Sequence, residues 1–89
     1  MDFEWDPQKA EANLRKHSVS FAFATNVFLD PHRIERIEDA ENYGEIRESV
    51  IGRHGEFILV VIYTMRQAVI RIISARRATR HEHNQYWND

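Results

Sequence analysis

The sequence contains no cysteine, which excludes both a disulfide framework and a zinc site built on thiolates, so any core must hold without such staples. It has no long apolar run either: the longest, Phe57 to Tyr63, is far too short to span a bilayer. No basic leader is expected either, since Met1-Asp2-Phe3-Glu4-Trp5-Asp6 is acidic where a secretory signal is basic. Together these absences predict a cytoplasmic protein with no membrane contact. There is no Gly-rich phosphate loop, nucleophile elbow or cysteine nucleophile, so the common routes to nucleotide hydrolysis and acyl transfer are closed.

What is present fits one folded domain over residues 1–89. Hydrophobic residues make up 43% and charged residues 29%, too apolar for a disordered chain. A chain of this size buries only roughly 60–65% of its unfolded surface, so the core is thin. The net charge of −2 hides an uneven placement. Asp30 to Glu48 holds seven acids against Arg33, Arg36 and Arg47, whereas Phe57 to His81 holds Arg66, Arg71, Arg76, Arg77 and Arg80 with no acid. One face for a polyanion and another for solvent or a basic partner would produce this pattern, as would a solvated surface of uneven charge.

The hydrophobic pattern predicts an α+β fold. Phe3-Glu4-Trp5 alternates like a short edge strand, and Asp6-Pro7 starts a helix to about His17, with Ala10, Leu14 and His17 as its buried stripe and Lys9, Asn13 and Lys16 on an adjoining face. Ser20 caps a second helix through Phe21, Ala24, Val27 and Phe28, ended by Asp30-Pro31. Strands are expected at Arg33 to Glu38, Ile46 to Gly52, Phe57 to Tyr63 and Ala68 to Ala75, with a turn over Asp39 to Gly44. The expected architecture is a twisted antiparallel sheet of about four strands, two N-terminal helices packed on it and a C-terminal helix opened by Arg76 and Arg77.

Arg71 sits among Val69, Ile70, Ile72 and Ile73, where a guanidinium is costly unless paired or aimed into a wet groove. Two readings are open: an ion pair with Glu48 or Glu45 on an adjacent strand, or a phosphate clamp on the uncovered sheet face. Arg76, Arg80, His83 and Trp87 fall on one helical stripe of forked donors, an imidazole and a stacking ring, which suits RNA. His81 and His83 point some 160° apart on a helix, so no metal site is expected from them, and none from the acids between Glu35 and Glu48.

Several stretches taken together resemble one family: Phe3-Glu4-Trp5-Asp6 with Lys9, Asn13-Leu14-Arg15-Lys16-His17, Val19-Ser20-Phe21, Val27 to Pro31, and above all Arg71-Ile72-Ile73-Ser74-Ala75-Arg76-Arg77-Ala78-Thr79. These are similar to the BrnT family of type II toxin–antitoxin ribonucleases, over Phe3 to about Tyr86. The resemblance implies a RelE-like fold, RNA cleavage that arrests translation and growth, and a cognate DNA-binding antitoxin that neutralises the toxin and represses the shared operon; whether the toxin dimerises in that complex is open. Two departures from the family pattern stand out. Ser18 replaces the glycine that follows Lys-His, so the first helix lacks the preferred left-handed residue, and Ala22 and Phe23 replace acids, so the second lacks a capping box.

For a metal-independent, cofactor-free ribonuclease the expected parts are Arg71 and Arg76 on the phosphorane, Arg80 as a further clamp, and His17 with Lys9 for acid–base work, His83 or Tyr86 substituting. Arg47, Arg66, Arg77, His83 and Trp87 would bind RNA. His17 packed passively against the sheet is the competing reading. Two other functions use the same residues: a non-catalytic nucleic-acid-binding regulator, and a protein-interaction domain with a basic docking face.

Overall fold

The computed structural model describes residues 1–38 and 45–88; the turn expected over Asp39 to Gly44 lies outside them. In chain order the elements are β1 (Asp2–Glu4), α1 (Pro7–His17), α2 (Phe21–Ala24) continued by a 3-10 turn (Thr25–Leu29), β2 (Ile34–Ile37), β3 (Arg47–His54), β4 (Phe57–Arg66), β5 (Val69–Arg77) and α3 (Arg80–Asn88). Asp6 caps α1 by accepting from the Gln8 N–H at 2.8 Å, with Pro7 at the first helical position, and Ser20 caps α2 by accepting from the Phe23 N–H at 3.0 Å.

The strands form one five-stranded sheet in the order β1-β5-β4-β3-β2. β2 to β5 make the expected antiparallel meander, with the apolar run of β4 at its centre. The fifth strand corrects the expectation of a purely antiparallel sheet of about four: β1 lies parallel to β5, Asp2, Phe3 and Glu4 opposite Val69, Ile70 and Arg71. Pairing β1 with β5 spans almost the whole chain and seats Phe3 on Phe28, ring centroids 5.3 Å apart, which local alternation cannot show.

Each sheet face has its own core. On the first face Phe21, Ala24, Val27 and Phe28 pack on Val50, Leu59, Val61, Tyr63, Ile70, Ile72 and Ala75. The 3-10 turn comes so close to β3 that a Cβ on Gly52 would meet the Val27 Cβ at 2.7 Å, so this position tolerates nothing larger than glycine. On the second face a smaller cluster of Ile51, Ile58 and Val60 is covered by Tyr86 of α3.

The buried side of α1 differs from the expected stripe. Leu14 is 49% exposed, and Asn13 is buried instead. β1 pairs with β5 only from Val69 to Arg71, which leaves the outer edge of β5 open beyond that point. Asn13 closes it: its side-chain oxygen accepts from the Ala75 N–H at 3.2 Å, and its amide donates to the carbonyls of Ala75 at 2.8 Å and Val19 at 3.0 Å. A polar residue is buried because buried backbone groups need partners, and that demand outweighs the apolar pattern. Asn13→Ala is therefore expected to lower stability by about 2–4 kcal/mol, with orphaned buried groups costing about 1–3 kcal/mol each, read as a drop of the melting temperature by about 10 °C or more.

Helix α1 ends at Ser18, which adopts the left-handed conformation, φ 59° and ψ 29°, and donates its N–H to the Leu14 carbonyl at 2.9 Å. The family's glycine is thus replaced by a residue held in the conformation that glycine favours. Ser18→Gly is expected to raise stability by about 0.5–1 kcal/mol, since the relieved strain exceeds the chain entropy that glycine adds, and thermal melting checks this as a rise of a few degrees.

Candidate functional site

Alternate residues of a strand point to opposite faces. Ile70, Ile72 and Ala75 point into the core under α1 and α2, so Arg71 and Arg76 point to the second face, where a register shift at Ile62/Tyr63 opposite Ile73 keeps both on that side. Arg71 makes an ion pair with an acid on an adjacent strand, but the acid is Glu4 of β1, at 2.9 Å, in place of Glu48 or Glu45. Glu45 holds Arg66 at 2.9 Å. Glu48 lies beside Tyr63, whose phenol is pushed up to about 12 by burial first and then by Glu48 and Glu35. The meander thus brings the acid-rich segment to the basic one at Glu45 and Arg66, while Arg71 and Arg76 pair with acids outside that segment.

Arg76 and Arg77 do not open the C-terminal helix as expected; they are the last two residues of β5. The helix is started by Thr79, whose Oγ1 accepts from the Glu82 N–H at 3.2 Å while Glu82 Oε1 accepts from the Thr79 N–H at 2.8 Å, a reciprocal capping box. Glu82 also takes both terminal nitrogens of Arg76, Nη1 to Oε1 at 2.7 Å and Nη2 to Oε2 at 2.9 Å. The hydrogen bonds from Arg76 come first among the causes that pull the Glu82 carboxyl down to about 2, and the same pair raises Arg76 above its ordinary value. Glu82 is therefore ionised at any working pH and serves as a brace, not as a proton carrier.

A guanidinium has five N–H donors. Two of those on Arg76 go to Glu82 and one of Nη1 goes to the Arg77 carbonyl at 3.2 Å. Among the described residues the Nε–H and the outer Nη2–H have no partner, and these two lie parallel along the side edge of the group, the fork that grips two phosphate oxygens at once. Arg76 lines a groove of about 260 Å³ with Arg36, Glu38, Ser49, His81, Glu82 and Gln85, where the Ser49 hydroxyl donates to Glu38 Oε2 at 3.3 Å and Glu38 adds to the field that raises Arg76. Arg36 reaches it by alternation with Ile34 on β2, and His81 and Gln85 by their spacing of four on α3.

Among the residues expected to act, Arg71 and Arg76 share the second face about 16 Å apart along β5, and of the two only Arg76 lines the groove. Arg47 is half-buried at the start of β3. Arg80 is exposed at the first position of α3, and His83 and Trp87 stand one turn apart there with ring centroids at 6.3 Å. Arg77 points to the other face and stacks on Phe57 at 5.1 Å. Lys9 is exposed and His17 half-buried on α1, in the layer on that other face. Tyr86 is an anchor: buried, it donates to Asp30 Oδ2 at 2.6 Å, and burial first, then Asp30, pushes its phenol up to about 12. The sequence reading missed His81 and Arg36. The Thr79 and Glu82 capping signature, which starts the helix at Arg80, is the signal that would have placed His81 in the groove. Among the described residues no three of His, Asp and Glu gather to hold a metal ion, and no helix is long and apolar enough to cross a membrane.

The depressed Glu82 carboxyl makes α3 docking acid-sensitive. A carboxylate whose value falls from 4.5 to about 2 on folding adds stability above pH ~4.5 and loses it as pH falls through about 2. Glu82→Gln should therefore melt below the wild type at neutral pH, with the gap narrowing through that window and closing near pH 2; a gap independent of pH would show that the charge is irrelevant.

In comparison with known proteins, residues 5–82 match the family model described as the ribonuclease toxin, BrnT, of type II toxin–antitoxin systems. The search of curated proteins returns no match. The family match covers β1's neighbour Trp5, both N-terminal helices, the whole meander, and the arginine-bearing end of β5 through Glu82. This chain belongs to the BrnT family of ribonuclease toxins of type II toxin–antitoxin systems.

Proposed function

We propose that the chain is an endoribonuclease that cuts RNA without a metal ion, with the scissile phosphate held in the groove between Arg76 and Arg36. The observation that carries this reading is the unspent fork of Arg76, fixed in place by Glu82 at the rim of an open groove on the sheet. In such a reaction the 2′-hydroxyl attacks the adjacent phosphorus, its proton passes to a base, and the 5′-oxygen leaves with a proton from an acid, giving a cyclic phosphate and a free 5′-hydroxyl. The dianionic phosphorane needs preorganised donors, which the Arg76 fork supplies, with Arg36 adding positive charge from β2. His81 shuttles the proton, because imidazole is the side chain suited to both roles near neutrality. Arg71, Arg80 and Arg47 bind flanking phosphates, and Lys9 and His17 have no part in the chemical step.

By its family this toxin works against a cognate antitoxin, which we take to bind DNA, repress the shared operon and cover the toxin until growth arrest is needed. Purified, antitoxin-free protein should cleave structured RNA in EDTA. RNA bound in a strongly salt-dependent way yet left intact would point to a non-catalytic binder. Arg76→Ala should lower the cleavage rate by about a hundred- to a thousandfold. Arg76→Lys, which keeps the charge and loses the fork, should recover little. His81→Ala should remove a limb of the pH–rate profile while His17→Ala leaves it; the reverse result would move the acid–base role to α1.

A further inference from the structure

The second face carries another depression, beyond the groove of Arg76. At the end of β3 the Arg53 guanidinium lies over the Trp87 ring, 5.3 Å from its centroid, and its Nε donates to the Gly55 carbonyl at 2.8 Å. That bond fixes the plane of the group, and among the described residues its Nη atoms have no hydrogen bond or ion pair. Pro31, His32 and Arg33 complete an opening of about 520 Å³ that no carboxylate lines among the described residues. Trp87 is 53% exposed at its rim.

The walls are held rigidly. The buried Asp30 carboxylate accepts from the His32 N–H at 2.9 Å, the Arg53 N–H at 2.8 Å and the Tyr86 hydroxyl at 2.6 Å, so the loop after the 3-10 turn, the end of β3 and the C-terminal turn of α3 are pinned to one group. Arg33 is fixed in turn by its Nη1 donating to the Asp30 carbonyl at 3.0 Å and its Nε to Glu35 Oε1 at 3.3 Å, which among the described residues leaves Nη2 for a ligand. A stacked arginine and tryptophan, two further cationic or imidazole groups and a preorganised floor suit a nucleotide: unpaired bases stack on aromatic rings and guanidinium planes, and arginine forks take the phosphate.

We propose that this opening is a subsite for single-stranded RNA flanking the cleaved bond, with a base on the Arg53–Trp87 stack and its phosphate on Arg53, Arg33 and His32. It rests on the ribonuclease reading and extends the RNA path beyond the catalytic groove. β3 connects the two places: Ser49 lines the groove and Arg53 the subsite, four residues or about 13 Å along one strand, a span that a short single strand crosses.

The test uses wild-type and variant full-length protein with a 2′-O-methyl RNA oligonucleotide, which has no attacking hydroxyl and so reports binding alone. Arg53→Ala and Trp87→Ala should each weaken binding by about tenfold or more, as loss of a stacked base does, and Trp87→Phe should recover most of it. On cleavable RNA the alanine variants should raise KM by a similar factor with kcat little changed. Arg53→Ala keeps the main-chain bond to Asp30, and unchanged melting temperatures will show that the fold persists. Wild-type affinity in both alanine variants overturns the subsite while leaving the ribonuclease reading intact. So does loss of antitoxin binding with RNA affinity unchanged, which would assign the surface to a protein. A wild-type chain that neither binds nor cuts RNA overturns both readings.

Discussion

Glu82 joins the last strand to the last helix. Its Oε1 accepts from both the Thr79 N–H and Arg76 Nη1, and its Oε2 from Arg76 Nη2. The first bond starts α3, and the other two tie that start to the end of β5. The apolar hold on this helix is slight, since Tyr86 is its only buried residue. Charge-assisted bonds in a partly shielded place therefore carry much of the docking, and they do so where the groove opens. The same contact that secures α3 fixes the orientation of Arg76 and leaves its side edge for a ligand.

A guanidinium held this way keeps its charge partly neutralised by its brace, so its value to a bound phosphate lies in geometry as much as in field. The pattern recurs along the second face. Arg71 is held by Glu4, and Arg53 is held by the Gly55 carbonyl and by Trp87. Each arginine has a partner that limits its rotamers and leaves other donors outward. Preorganisation of this kind lowers the entropy lost when a polyanion binds. It also reconciles a net charge of −2 with a nucleic-acid substrate, because Glu82 and Glu4 sit against Arg76 and Arg71 and restrain them.

Local rules made much of the fold legible. The N-caps at Asp6 and Ser20, the end of α1 at His17, the meander and the central apolar strand all follow from capping chemistry and period-two or helical patterning. What escaped was set by pairing across the whole chain: the parallel seat of β1, the burial of Asn13 in place of Leu14, and Glu4 as the partner of Arg71. In each case an unpaired group elsewhere, a strand edge or a buried cation, decided the outcome. At the site, Arg71 was legible as an arginine out of place in an apolar strand. Arg76 was misplaced onto the helix because the reciprocal cap of Thr79 and Glu82 was overlooked, and with it the position of His81. Asp30 read only as a helix stop, since nothing local reveals that Arg53 and Tyr86 converge on it.

The central claim is that Arg76, braced by Glu82, offers its Nε–H and outer Nη2–H to an RNA phosphate. Nitrogen-15 NMR of the arginine side chains, during titration with uncleavable 2′-O-methyl RNA, reads this directly. The Arg76 Nε–H signal is expected to shift and its exchange with solvent to slow, with the Arg66 signal at the far end of the hairpin moving much less. An Arg76 signal that stays in place while RNA saturates the protein would contradict the account.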